Sequence, residues 1–160
     1  MNKKVIEFLD ELDIKYRWLD HPAVFTVADL QNLPDDINPI KNLLIQEEGN
    51  GRKFLVVMGG NARMDQKVIR EKFGTKRFRF VNDEVLLDTF GVKPGAVSIF
   101  GFLNNKSADV EIIIDEEILK SGDELGFHPN NNTATVLFAP NDLEMILKSM
   151  GCQYTIMRLY

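Results

Sequence analysis

At 160 residues with 44% hydrophobic side chains, the chain can bury one sizeable core, which predicts a single domain over residues 1–160. A net charge of −5 argues against indiscriminate nucleic-acid binding, whose affinity comes mainly from neutralising phosphates, and no run approaches the roughly 18 apolar residues of a membrane span. A cytoplasmic protein with no membrane attachment is the expectation, and Cys152, the single cysteine, excludes an intrachain disulfide and a cysteine-built zinc site.

Val5, Ile6, Leu9 and Leu12 recur at helical spacing and predict a helix over 3–12, followed by a short strand over 16–19 that leads to His21-Pro22. Thr26, three residues before Asp29, resembles a capping box for a second short helix that must end before Pro34. Apolar strands are predicted over 42–46 and 53–58, joined as a hairpin through Glu47-Glu48-Gly49-Asn50-Gly51-Arg52. Asp65 caps a helix through Phe73 that Gly74 stops, and 78–81 returns as a strand. Asn82 caps a helix over 83–90 closed by Gly91, and Pro94-Gly95-Ala96 forms a turn.

The nearly continuous apolar run over 110–114 predicts a central strand covered on both faces. Residues 115–120 add a helical turn, 125–127 pair at a sheet edge, and 133–138 form a strand. Asn141 or Asp142 caps a last helix to Met150 that Gly151 ends, and 154–159 closes as a strand. The result is a mixed α+β domain of about seven strands and four or five helices.

Seven basic residues between Arg63 and Arg79 face only Asp65 and Glu71, so this segment carries +5 and the remainder −10. A solvated helix face or a contact for a polyanion both fit. Cys152 reads as a packing residue near the last strand.

Candidate chemistry concentrates in Gly126-Phe127-His128-Pro129-Asn130-Asn131-Asn132-Thr133-Ala134-Thr135, which gathers one of two histidines, three amides and two hydroxyls ahead of a rigid strand. Lys41 stands beside Asn42 at a strand start, where sheet proteins often display functional groups. Taken singly, Lys41 fits a solvated flank, and His128 and His21 fit structural histidines. Two histidines without clustered acids make no metal site. The turn at Pro94-Gly95 can aim consecutive amide N–H groups at a carbonyl or phosphate oxygen.

Four ordered blocks carry a family resemblance: His21-Pro22-Ala23-Val24-Phe25-Thr26, Lys41-Asn42-Leu43-Leu44, Gly91-Val92-Lys93-Pro94-Gly95-Ala96-Val97-Ser98-Ile99-Phe100-Gly101, and Gly126 to Thr135. Over nearly its whole length the chain resembles the YbaK/prolyl-tRNA-synthetase-associated domain family of aminoacyl-tRNA deacylases. Its Lys-Asn pair and His-Pro-Asn block are most similar to the ProXp-ala/PrdX branch, which clears alanine from tRNA(Pro). The resemblance implies one mixed, largely antiparallel sheet with surrounding helices, no cofactor and no metal.

The same resemblance implies catalytic roles for Lys41, Asn42 and His128. It implies substrate contacts from Gly95, Ala96, Ser98, Gly101, Phe127, Asn130, Thr133, His21 and Phe25, with the Gly95 and Ala96 amides at the developing oxyanion. Lys67, Arg70 and Lys76 become candidate tRNA contacts. The implied partners are the 3′ acceptor end of tRNA(Pro) and either prolyl-tRNA synthetase or an elongation factor. One departure is Ile99, where the family usually carries a proline, which predicts a less fixed loop. The alternatives are a Cys-tRNA(Pro) deacylase, a hydrolase of another small ester or amide, and a non-catalytic aminoacyl-tRNA or amino-acid binding protein.

Overall fold

The computed structural model describes residues 2–23 and 37–160, the Ile37 side chain excepted, so the capping box at Thr26, the helix expected before Pro34 and the candidate Phe25 lie outside the described residues. The chain runs α1 (Lys3–Glu11), β1 (Tyr16–Asp20), β2 (Ile37–Glu47), β3 (Lys53–Gly59), α2 (Gln66–Phe73), β4 (Phe78–Phe80) and α3 (Asp83–Phe90). A 3₁₀ turn (Ile99–Leu103) leads to β5 (Val110–Asp115), α4 (Glu117–Lys120), β6 (Glu124–Phe127), β7 (Ala134–Phe138), α5 (Leu143–Ser149) and β8 (Tyr154–Met157).

Local chemistry sets most boundaries. Asp65 Oδ1 accepts from the Lys67 N–H at 3.0 Å to start α2, and Gly74 ends it at φ 66° with its N–H on Arg70 O. Asn82 caps α3 through the Val85 N–H at 2.9 Å, and Gly91, at φ 67°, closes it. These are the caps that the sequence predicts. The start of α5 differs: Asp142 occupies the cap position without a side-chain bond, because a 3₁₀ turn over Pro140–Asp142 feeds the helix directly.

The described strands form one mixed sheet in the order β1-β7-β6-β2-β3-β5-β8, with β4 also on β2. Four pairings are antiparallel (β1 with β7, β6 with β7, β2 with β3, β2 with β4) and three parallel (β2 with β6, β3 with β5, β5 with β8). Strand β2 is the hub: Ile37 to Pro39 run beside β6, and Ile40 to Gln46 run beside β3. Expected at an edge, β6 instead lies between β7 and β2, and Gly126 faces both Pro39 and Leu137.

Both faces of the sheet are covered. Leu55, Val57, Ile112 and Ile114 alternate onto a larger core with Leu44, Phe127 and Val136, beneath α1, α3, α5 and the 3₁₀ turn. Phe54, Val56, Met58 and Ile113 point the other way, onto a smaller core with Ile69 of α2, Phe78 and Leu159. Burial on both sides explains the unbroken apolar run of β5. Phe127 illustrates the packing: its ring stacks on Phe138 at 5.3 Å and meets Phe100 edge-on at 6.4 Å. Burial of such a ring stabilises the fold by about 1.5–3 kcal/mol.

Candidate active site

Strand alternation separates Lys41 from Asn42. Asn42 points with Ile40 and Leu44 toward the larger core, opposite Val57, whereas Lys41 points with Leu43 and Ile45 to the other face, opposite Met58. The Lys41 ammonium donates to the Ala62 carbonyl. Burial, and then the neighbouring Arg63 charge, lowers its pKa, so it holds its proton less tightly than an exposed lysine.

The two histidines converge, with ring centroids 6.1 Å apart and planes tilted by 59°. His128 Nδ1 lies 3.0 Å from Ala134 O, and a carbonyl only accepts, so Nδ1 carries the hydrogen and Nε2 of the neutral ring is left as an acceptor. Burial lowers the His128 pKa and His21 lowers it further, against a partial rise from the bond to Ala134. His21 is fixed the same way: Nδ1 donates to Pro22 O at 2.9 Å, and Nε2 accepts from the Thr135 hydroxyl at 2.7 Å. Its backbone N–H bonds Thr133 O at 2.9 Å, which extends the pairing of β1 with β7.

Thr135 and His128 share a face. Val136, Phe138, Leu125 and Phe127 fill the larger core, so Thr135, Gly126 and His128 point away from it, and the pairing of Pro39 with Gly126 continues that face to Lys41. Thr135, which the sequence reading did not single out, is 3% exposed, so a hydroxyl sits inside an otherwise apolar strand. The available signal was the alternation Thr133-Ala134-Thr135-Val136.

Several sequence-based assignments change. The Ala96 N–H is consumed by Lys93 O at 3.1 Å, because the turn closes on itself; it is not free for an oxyanion. Gly95, at φ 85°, contributes the turn geometry. Ser98 is fully buried, its Oγ accepting from the Phe100 N–H at 3.3 Å, and Phe127 is a core ring at 1% exposure. A Cβ on Gly101 would lie 2.6 Å from Phe90 Cγ, so that glycine serves close packing. The loop that Ile99 was expected to leave less fixed is anchored by the complete burial of Ile99 and Phe100.

Asn130, at φ 65°, donates from Nδ2 to Phe100 O at 3.0 Å and so ties the histidine block to this loop. The Oδ1 atoms of Asn42 and Asn130 are buried without a partner among the described residues, two acceptors aimed where a donor is required. Exposed Thr133 bonds Asn131 Oδ1 through both its N–H and its hydroxyl. Lys67, Arg70 and Lys76 are exposed, as are Arg63, Lys72, Arg77 and Arg79, and none forms an ion pair among the described residues. Also among the described residues, no three His, Cys, Asp or Glu side chains gather into a metal-binding group, and no helix is long and apolar enough to cross a membrane. Burial pushes the Cys152 thiol up to about 12, as for a packing residue.

The profile of the aminoacyl-tRNA editing domain matches residues 21–146, which contain every one of these side chains except Cys152. The chain belongs to the aminoacyl-tRNA editing domain family. The prolyl-tRNA editing protein ProX of Acetoanaerobium sticklandii is 32% identical over 97% of this chain and 95% of its own length. The prolyl-tRNA synthetase associated domain-containing protein 1 of Danio rerio is 26% identical over 92% of this chain and 82% of its own length. In fold, the editing domain resembles the solved hypothetical protein APE2540, with a TM-score of 0.72 at 19% identity over 94% of this chain and 96% of that one. As an editing domain the chain is an aminoacyl-tRNA deacylase, a carboxylic ester hydrolase.

Proposed function

We propose that the chain edits in trans, hydrolysing a wrong aminoacyl ester on tRNA(Pro), and that the amino acid it removes is alanine. Similarity to the ProX editing protein over almost its entire length carries the tRNA(Pro) assignment. The choice of alanine rests on Lys41-Asn42 and His128-Pro129-Asn130, the blocks most like the alanine-clearing branch.

An aminoacyl ester is already activated, so orientation and charge stabilisation are the main requirements. A water oxygen attacks the ester carbonyl carbon, the bond from that carbon to the ribose oxygen breaks, and the ribose oxygen takes up the proton that the water loses. His128 Nε2 is the acceptor that orients the water, with the 2′-hydroxyl of the substrate assisting. Lys41 donates to the carbonyl or to a phosphate. Asn42 lies on the opposite face of β2 from Lys41 and His128, so it is assigned no contact with the reacting ester. A small pocket accepts alanine and excludes proline sterically; a single methylene in an apolar pocket would supply only about 1–3 kcal/mol of discrimination.

Lys67, Arg70 and Lys76 are proposed as contacts for the acceptor stem. A synthetase partner draws support from the names of relatives such as the Danio rerio protein; an elongation factor has no such support and is not part of the proposal. The test is Lys41→Ala, which should reduce hydrolysis of Ala-tRNA(Pro) by at least about a hundredfold, comparable to loss of an electrostatic contact to the reacting centre, while Tm changes by only a few degrees. Unchanged turnover in a folded variant would remove Lys41 from the mechanism.

A further inference from the structure

We infer that Phe80 is a stacking platform for an unpaired nucleotide at the 3′ end of the tRNA, next to the one that carries the amino acid. The inference rests on the editing reading and names where the single strand lies. Phe80 is 62% exposed on β4, a strand that among the described residues pairs only with β2. Its strand mate Phe78 is buried in the smaller core and Phe80 pairs with Ile45 of that core, so alternation places Phe80 on the face that carries Lys41. Lys41 is four positions from Ile45 along β2, about 13 Å at the rise of an extended strand.

The electrostatic surroundings select the occupant. Arg77 and Arg79 precede Phe80 in sequence, with Arg79 on the opposite face of β4 by strand alternation, and Arg63, Lys67, Arg70, Lys72 and Lys76 of the same basic segment are exposed and form no ion pair among the described residues. The other exposed large apolar side chains stand elsewhere: Leu87 shares α3 with Asp83, Glu84 and Asp88, Met145 follows Glu144, Ile156 lies on β8 opposite Ile114, and Tyr160 is bonded to Asp115 near Glu117. An exposed aromatic ring on a segment rich in exposed cations is an arrangement suited to single-stranded nucleic acid, with the cations following the phosphates and the ring stacking a base. A strand that enters over α2 and β4 meets Phe80 before Lys41, which orders the contacts along the acceptor end.

The experiment compares wild type with Phe80→Ala, Phe80→Leu and Phe80→Trp in the full chain. It reads kcat and KM on Ala-tRNA(Pro), and separately the affinity for uncharged tRNA(Pro), intact or trimmed of its three 3′-terminal nucleotides. Stacking predicts that Ala and Leu raise KM and weaken binding of intact tRNA by about tenfold with kcat retained, that Trp restores both, and that trimmed tRNA does not distinguish the variants. Equal affinity of wild type and Phe80→Ala for intact tRNA would overturn the inference, as would rescue by Leu, which would indicate an apolar protein contact. If wild type hydrolyses nothing, the editing reading fails while the binding arm still decides whether Phe80 stacks a base.

Discussion

His128 is held neutral by its surroundings, and its chemistry follows from which ring nitrogen is occupied. With Nδ1 committed to Ala134 O, the only basic position is Nε2, and burial lowers its pKa from the ordinary 6.5. Hydrolysis should therefore decline as pH falls through the depressed value of His128 and, at the alkaline end, as Lys41, whose pKa is also lowered, gives up its proton. Stability follows the same sign: below 6.5 the unfolded chain takes up the proton before the folded one, so folding free energy is lost as pH falls. Thr135 orients the His21 ring, whose Nε2 accepts its hydroxyl hydrogen. Thr135→Val should lower kcat about two- to tenfold, the value of one hydrogen bond, and leave the pH profile in place. A pH–rate profile identical in height to wild type would make Thr135 structural only. None of this cluster was assigned as a unit from sequence, because His21 and Thr135 meet across 114 positions and only strand pairing brings them together.

The 3₁₀ turn Ile99–Leu103 shows how an element can be fixed without the residue that usually fixes it. A proline at position 99 would restrict the backbone by its ring; here Ile99 does so by burial, and Ser98 caps the turn. Gly101 sets the closeness of that turn to α3, since any side chain there meets the Phe90 ring. Gly101→Ala should cost about 1–3 kcal/mol and lower Tm by several degrees in thermal unfolding. An unchanged Tm would mean that Phe90 can move aside, although it is fully buried and packs on Phe102 at 5.0 Å. Elements governed by neighbours in sequence, such as the capped α2 and α3 and the apolar β5, were legible in the chain. Strand β6 was not: four residues with a glycine carry little signal, and its interior position is set by pairing with both Pro39 and Leu137. The family resemblance located the loop and the histidine block, but not that the Ala96 N–H, Ser98 and Phe127 are turned into the fold.

Across the whole molecule, charge is divided between an acidic body and the exposed basic surface of residues 63–79. Such a division lets a protein of net charge −5 attract a polyanion on one side. Binding of tRNA(Pro) should weaken linearly in log affinity against log salt, and Lys67→Glu with Arg70→Glu should flatten that slope by about two phosphate contacts. An unchanged slope would return these residues to a solvated helix face. One continuous sheet joins the described strands, and both histidines, Lys41 and the basic surface hang from it.

The most direct measurement is deacylation by the purified chain of Ala-tRNA(Pro) beside Cys-tRNA(Pro), Ser-tRNA(Pro), Pro-tRNA(Pro) and Ala-tRNA(Ala). The account predicts hydrolysis of Ala-tRNA(Pro) with Pro-tRNA(Pro) spared. Preference for Cys-tRNA(Pro) would contradict the choice of alanine, and hydrolysis of none of them would contradict the editing function itself.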